Sequence, residues 1–113
     1  MEQHFIKNID FSKVIEMDSL VGYQEGQVIS RTFAQGKNLS LTLFAFDKGE
    51  EIRSHSSGGD AMVYILDGEA EITVGDETFK AKKGETIVMP SGVPHALLAS
   101  ERFKMLLVVV FNA

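Results

Sequence analysis

The feature that most constrains this chain is a succession of short alternating strands that starts at Val28 and runs to Phe111. Leu39-Ser40-Leu41-Thr42-Leu43 and Ala70-Glu71-Ile72-Thr73-Val74 alternate strictly between apolar and polar residues. Successive side chains of a strand point to opposite faces, so such runs make half-buried strands. The sequence predicts strands over Val28 to Ala34, Leu39 to Phe46, Ala61 to Leu66, Ala70 to Val74, Glu77 to Lys82, Thr86 to Met89 and Phe103 to Phe111. Turn residues stand between them. Asp67-Gly68 reads as the stop of one strand, Gly75-Asp76 as a two-residue hairpin loop, and Lys83-Gly84 as another turn. No long helical pattern interrupts the series, which indicates an antiparallel sandwich or barrel.

A length of 113 residues, 44% of them hydrophobic, suits one domain. Residues 1–27 are read as an N-terminal segment that packs on the barrel or on a dimer partner, and residues 28–113 as the barrel. Within the segment, Phe11 to Met17 reads as either a short helix or an irregular strand. A net charge of −5 disfavours nucleic acid as a partner. The chain has no cysteine, which removes disulfides, thiolate nucleophiles and cysteine-based zinc sites. The start, Met1-Glu2-Gln3-His4-Phe5, lacks the basic and apolar runs of a signal peptide. The longest apolar run, Met105 to Phe111, is far below the roughly 20 residues that span a bilayer. The expectation is a cytoplasmic protein with no membrane partner.

Two motifs in the second half carry more information. The first runs Gly49-Glu50-Glu51-Ile52-Arg53-Ser54-His55-Ser56-Ser57, then Gly58-Gly59-Asp60-Ala61, and ends Tyr64-Ile65-Leu66-Asp67-Gly68. The second runs Gly84-Glu85-Thr86-Ile87-Val88-Met89-Pro90-Ser91-Gly92-Val93-Pro94-His95. Together they resemble the paired motifs of the cupin superfamily, in particular its small single-domain, RmlC-like members. The resemblance covers roughly Val28 to Phe111. It implies an all-β fold, the cupin double-stranded β-helix or antiparallel jelly-roll barrel, and a metal site fed by both motifs. By that resemblance the first motif supplies two histidines and a glutamate, and the second one histidine. This chain has His55 and His95, with Ser57 at the second histidine's position and Ala61 at the glutamate's. Ala99 stands where the second motif often carries asparagine.

Strand parity adds an expectation of its own. His55, Ser57, Ala61, Val63 and Ile65 are all odd-numbered, so in an uninterrupted strand they share one face, and the apolar members identify it as the barrel interior. His95 enters the same cavity by resemblance, and Met89, Phe79, Phe103, Met105 and Leu107 are expected to pack the barrel. Imidazoles suit Fe, Mn, Ni, Cu or Zn, but two of them fall short of the three or four protein ligands of a zinc site. Asp60 is the nearest carboxylate. Its even parity aims it outward unless Gly58-Gly59 form a bulge that reverses its facing. The candidate metal ligands are therefore His55, His95 and Asp60, with Ser57, Ala61 and Met89 in the pocket. One divalent transition metal and no cofactor at all are equally compatible with this set.

Three functions fit. The first is a module that binds an unknown small molecule in the barrel with a reduced ligand set and no assignable reaction. The second is a metal-dependent enzyme, dioxygenase- or isomerase-like, using His55 and His95. The third is a metal-free isomerase or epimerase with a histidine base. Met62, Tyr64 and Leu66 face outward on a strand that is apolar on both sides, which calls for cover and predicts a homodimer.

Overall fold

The computed structural model describes residues 4–111. Met1, Glu2 and Gln3 of the N-terminal reading lie outside the described residues. Eight strands follow one turn of 3₁₀ helix at Met17–Leu20. They are β1 (Val28–Gln35), β2 (Leu39–Phe46), β3 (Glu51–His55), β4 (Asp60–Val74), β5 (Glu77–Lys82), β6 (Thr86–Met89), β7 (His95–Leu98) and β8 (Phe103–Val110). All pairings are antiparallel, and the strand order is β1-β2-β8-β4-β7-β3, with β5 and β6 also on β4.

β4 organises the molecule. The sequence predicts two strands broken at Asp67-Gly68, whereas the structure has one strand of 15 residues. Its first half pairs with β6 and β8, and its second half with β5 and β7. The Asp-Gly pair does not end the strand. A bulge between Ile65 and Asp67 and a positive φ of 73° at Gly68 bend it from one sheet into the other. Glycine is required there, because a Cβ on Gly68 would stand 1.9 Å from the Arg102 carbonyl oxygen.

The wall formed by β1, β2, β8, the first half of β4 and β6 turns its odd β4 and β8 residues inward. Ala61, Val63 and Ile65 meet Phe103, Met105 and Val109 there, all of them buried. Phe46 and Phe103 stack 4.5 Å apart and fill the end of the barrel near Gly68. The other end, around Ala61 and His95, keeps a cavity. Of the residues expected to pack the barrel, Phe79 does not. It is 39% exposed on β5, where no further strand covers it.

The N-terminal segment covers part of the outer face of that first wall. Ile9, Met17, Leu20, Val21 and Tyr23 pack with Phe33, Leu43 and Ala45, and reach Leu66 and Leu106. Phe11 to Glu16 is neither helix nor strand. Its apolar residues lack a sustained period, and Ser12 sits at φ 58°, a conformation that neither element propagates. A polar latch fixes the end of the segment. The Tyr23 hydroxyl donates to Asp67 Oδ2, and the Arg102 guanidinium lies 4.1 Å over the Tyr23 ring. Lys104 Nζ donates to the Asp18 carbonyl at 2.7 Å. Burial first, and then the bond to Asp67, raise the Tyr23 pKa well above the ordinary phenol range. Among the described residues no helix is long and apolar enough to cross a membrane.

Candidate functional site

The cavity opens between the two walls and measures about 90 Å³. His55 and His95 come from one wall, where β3 and β7 pair and the two histidines are direct cross-strand partners. Their ring centroids are 4.4 Å apart at an interplanar angle of 67°. Ala61 on β4 and Met89 on β6 face them from the other wall, again as direct cross-strand partners, with Met105 from β8. Ser57 stands at the mouth, and Ile52, Leu97, Leu107 and Val109 complete an apolar lining.

The first motif reaches this geometry by a different route from the one parity suggests. It is not one strand. β3 ends at His55, residues 56–59 form a loop, and β4 begins at Asp60 on the opposite wall. The β3–β7 register also slips between Ile52 and His55, with one more residue on β3 than on β7. A bulge of one residue reverses facing. Even-numbered Ile52 and odd-numbered His55 therefore both line the cavity. Ile52, Leu97 and Val109 are cavity residues that sequence reasoning missed. Alternation within β8 carries the signal for Val109, whereas nothing local marks Ile52 before the slip is known.

Each imidazole is oriented by its own backbone. His55 Nδ1 lies 3.0 Å from the Arg53 carbonyl oxygen, and His95 Nδ1 lies 3.3 Å from that of Val93. A carbonyl oxygen only accepts, so Nδ1 is the donor in both bonds. In the neutral ring Nε2 is then the nitrogen with the free lone pair. His95 is 4% exposed, while His55 is exposed at the mouth. Burial first, and the neighbouring His55 ring second, push the His95 pKa below the ordinary histidine value, against a smaller opposing effect of the Val93 bond. His95 is thus uncharged at neutral pH.

Asp60 is not brought to this cavity. Its Oδ1 accepts the Ser91 N–H at 2.8 Å, which ties the start of β4 to the loop before β7. Ser57 works on the same clamp, because its carbonyl accepts the Gly92 N–H at 3.0 Å and its Oγ accepts the Gly59 N–H at 3.2 Å. Gly58-Gly59 do not turn Asp60 inward. Gly59 is instead packed against β8, where a Cβ would stand 2.6 Å from the Val110 carbonyl oxygen. Among the described residues no three His, Cys, Asp or Glu side chains form a group that could hold a metal. His4 does not line the cavity and packs edge-on against Phe11, ring centroids 4.3 Å apart. The residues present therefore do not fit a divalent metal held by imidazoles and a carboxylate.

Comparison with known proteins agrees with the barrel. A family model described as a cupin domain matches residues 42–111. The structure of a conserved protein of unknown function from Streptococcus pyogenes is 50% identical and covers 98% of this chain and 97% of its own, with a TM-score of 0.97. A cupin superfamily protein from Desulfitobacterium hafniense is 31% identical over 95% of this chain and 98% of its own, with a TM-score of 0.90. An uncharacterized protein from Streptomyces coelicolor is 33% identical over 63 residues, which are 56% of this chain and 60% of that protein's length.

Proposed function

The chain belongs to the cupin family, and on that premise we propose that its barrel binds a small protic molecule between His55 and His95. The observation that carries this reading is the pair of rings 4.4 Å apart, each with Nδ1 tied to its own backbone, above an apolar cavity. Two Nε2 acceptors select a guest with a hydroxyl, amide or acid proton to donate. The walls of Ile52, Leu97 and Leu107 select an apolar body behind it. At about 90 Å³ the cavity is smaller than the roughly 150 Å³ known to take up benzene, so a larger guest would extend past His55 into solvent. No reaction is assigned. A histidine base needs an acid partner within hydrogen-bond reach, and among the described residues no carboxylate joins the two rings.

The test is a titration of metal-free protein with short alcohols, amides and carboxylic acids, following the ring nitrogens of His55 and His95 by NMR. Binders are expected to move both Nε2 signals. Replacing either histidine by alanine should weaken them about tenfold, the equivalent of roughly 1.4 kcal/mol. Binders that leave both rings unmoved and bind both variants unchanged would remove the reading.

A further inference from the structure

Two loops cross between the walls at the open end of the cavity. Residues 56–59 join His55 on β3 to the start of β4, and residues 90–94 join Met89 on β6 to His95 on β7. Consecutive N–H groups of the second loop tie it to the first. The Ser91 N–H donates to Asp60 Oδ1 at 2.8 Å, and the Gly92 N–H donates to the Ser57 carbonyl at 3.0 Å. The Ser91 hydroxyl donates to the same carbonyl at 3.4 Å. The second loop is itself stiff. Pro90 and Pro94 have a fixed φ, the Val93 N–H donates to the Pro90 carbonyl at 3.3 Å, and the Pro94 carbonyl accepts the Gly75 N–H at 2.8 Å. It therefore parts from residues 57–60 as a unit, and it carries the Val93 carbonyl that orients His95. Ser57 excepted, every residue lining the cavity lies on a paired strand, so extra room for a guest opens between these loops. Of the bonds that brace them, the one to Asp60 is the shortest, and its acceptor is a carboxylate, which makes a stronger bond than a neutral acceptor.

We propose that Asp60 sets the size of guest that the barrel admits: its bond to Ser91 holds the mouth narrow, and a guest larger than the cavity binds only when that bond has parted. The inference rests on the reading that the cavity is the binding site, and it names the selectivity of that site. A cavity of about 90 Å³ equals the liquid volume of about three water molecules. Ethanol fits that space, whereas the ring of benzyl alcohol does not. For a guest that needs the parted state, apparent affinity is the intrinsic affinity scaled by the fraction of molecules in that state. Removing a bond present only in the closed state raises that fraction. The carboxylate beside Ala61 thus works from outside the cavity, through the loops, and leaves the lining uncharged apart from the two imidazoles.

The experiment compares wild type, Asp60→Ala, Asp60→Asn and Ser91→Ala as full chains. Each is titrated with ethanol and with benzyl alcohol while the ring nitrogens of His55 and His95 are followed by NMR. Loss of one bond of ordinary net strength should raise the parted fraction about fivefold. Asp60→Ala should therefore bind benzyl alcohol about fivefold more tightly, and ethanol within about twofold of wild type. Its Ser91 and Gly92 amides should exchange with solvent about fivefold faster. Asp60→Asn keeps an oxygen acceptor and should return most of the wild-type preference. Ser91→Ala keeps the N–H and should match wild type. A merely weakened fold would lower the affinity for both alcohols together, and circular dichroism checks that each variant is folded. Benzyl alcohol bound no more tightly by Asp60→Ala, or amide exchange unchanged in it, would overturn the proposal. Ethanol that moves both rings beside such a result leaves the guest-binding reading standing. If no alcohol, amide or acid moves a ring in any of the four proteins, both fall.

Discussion

His95 illustrates how one buried side chain couples the site to solution conditions. Its folded pKa lies below the ordinary value of 6.5, chiefly because burial disfavours the charged ring. As pH falls through about 6.5 the unfolded chain binds a proton that the folded chain still refuses. The stability contribution is therefore complete above that value and is lost as pH falls toward the lower, folded pKa. The melting temperature should drop between about pH 7 and pH 5, and His95→Gln should flatten that part of the curve. A variant that melts with the same pH profile as the wild type would contradict the burial argument. Gly68 makes a second residue-scale case. A left-handed conformation costs a non-glycine residue about 1–2 kcal/mol. The 1.9 Å approach to the Arg102 carbonyl adds a clash that only backbone movement relieves. Gly68→Ala should destabilise by on the order of 3 kcal/mol in urea unfolding, whereas Gly22→Ala, with open space around the added carbon, should stay near wild type.

At the scale of elements, alternation made the second half of β4 readable from the sequence, because Ala70 and Ile72 bury one face while Glu71 and Thr73 stay partly exposed on the other. The alternating leucines of β2 marked that strand too, although its two faces pack on the barrel and on the N-terminal segment. The hairpin at Gly75-Asp76 was equally legible, with Val74 and Glu77 paired across it. Two features were hidden for a common physical reason. Asp67-Gly68 has the composition of a turn, yet pairing on both sides carries the strand through a bend there without ending it. The slip between Ile52 and His55 likewise depends on β7, a partner far away in sequence. The histidine pair and the nearby Met89 could be named from the motifs, whereas Met105, read only as packing the barrel, lines the cavity because β8 forms part of the opposite wall. The N-terminal segment is held by apolar packing and by hydrogen bonds to β1 and β8, and the latch at Tyr23 can be measured apart from them. Tyr23→Phe removes the bond to Asp67 and leaves the ring beneath Arg102. A half-exposed bond to a carboxylate should be worth about 1 kcal/mol, read as a shift in the urea midpoint with an unchanged slope. No shift would show that this bond contributes nothing net to stability.

For the whole molecule, the segment covers only part of the outer face. Met62, Tyr64, Val88 and Val110 remain 46%, 42%, 52% and 54% exposed, and they form one strip across β6, β4 and β8. We expect a second copy to cover this strip, since a self-complementary two-fold contact lets one apolar patch bury itself. A standard interface buries roughly 800 Å² per partner, so we expect these four residues to form the centre of a contact that includes the neighbouring segment. Sedimentation equilibrium should find a dimer, and Met62→Glu should shift it toward monomer without unfolding it. A wild type that stays monomeric at high concentration would refute this expectation. The bend in β4 has a mechanical meaning as well. A single strand serves both walls, so the walls behave like two leaves of a folded card that share a crease and cannot slide past each other. Room for a larger occupant has to come from the loops at residues 56–59 and 90–94, where the bonds from Gly92 to Ser57 and from Ser91 to Asp60 act as the clasp, and not from the crease at Gly68.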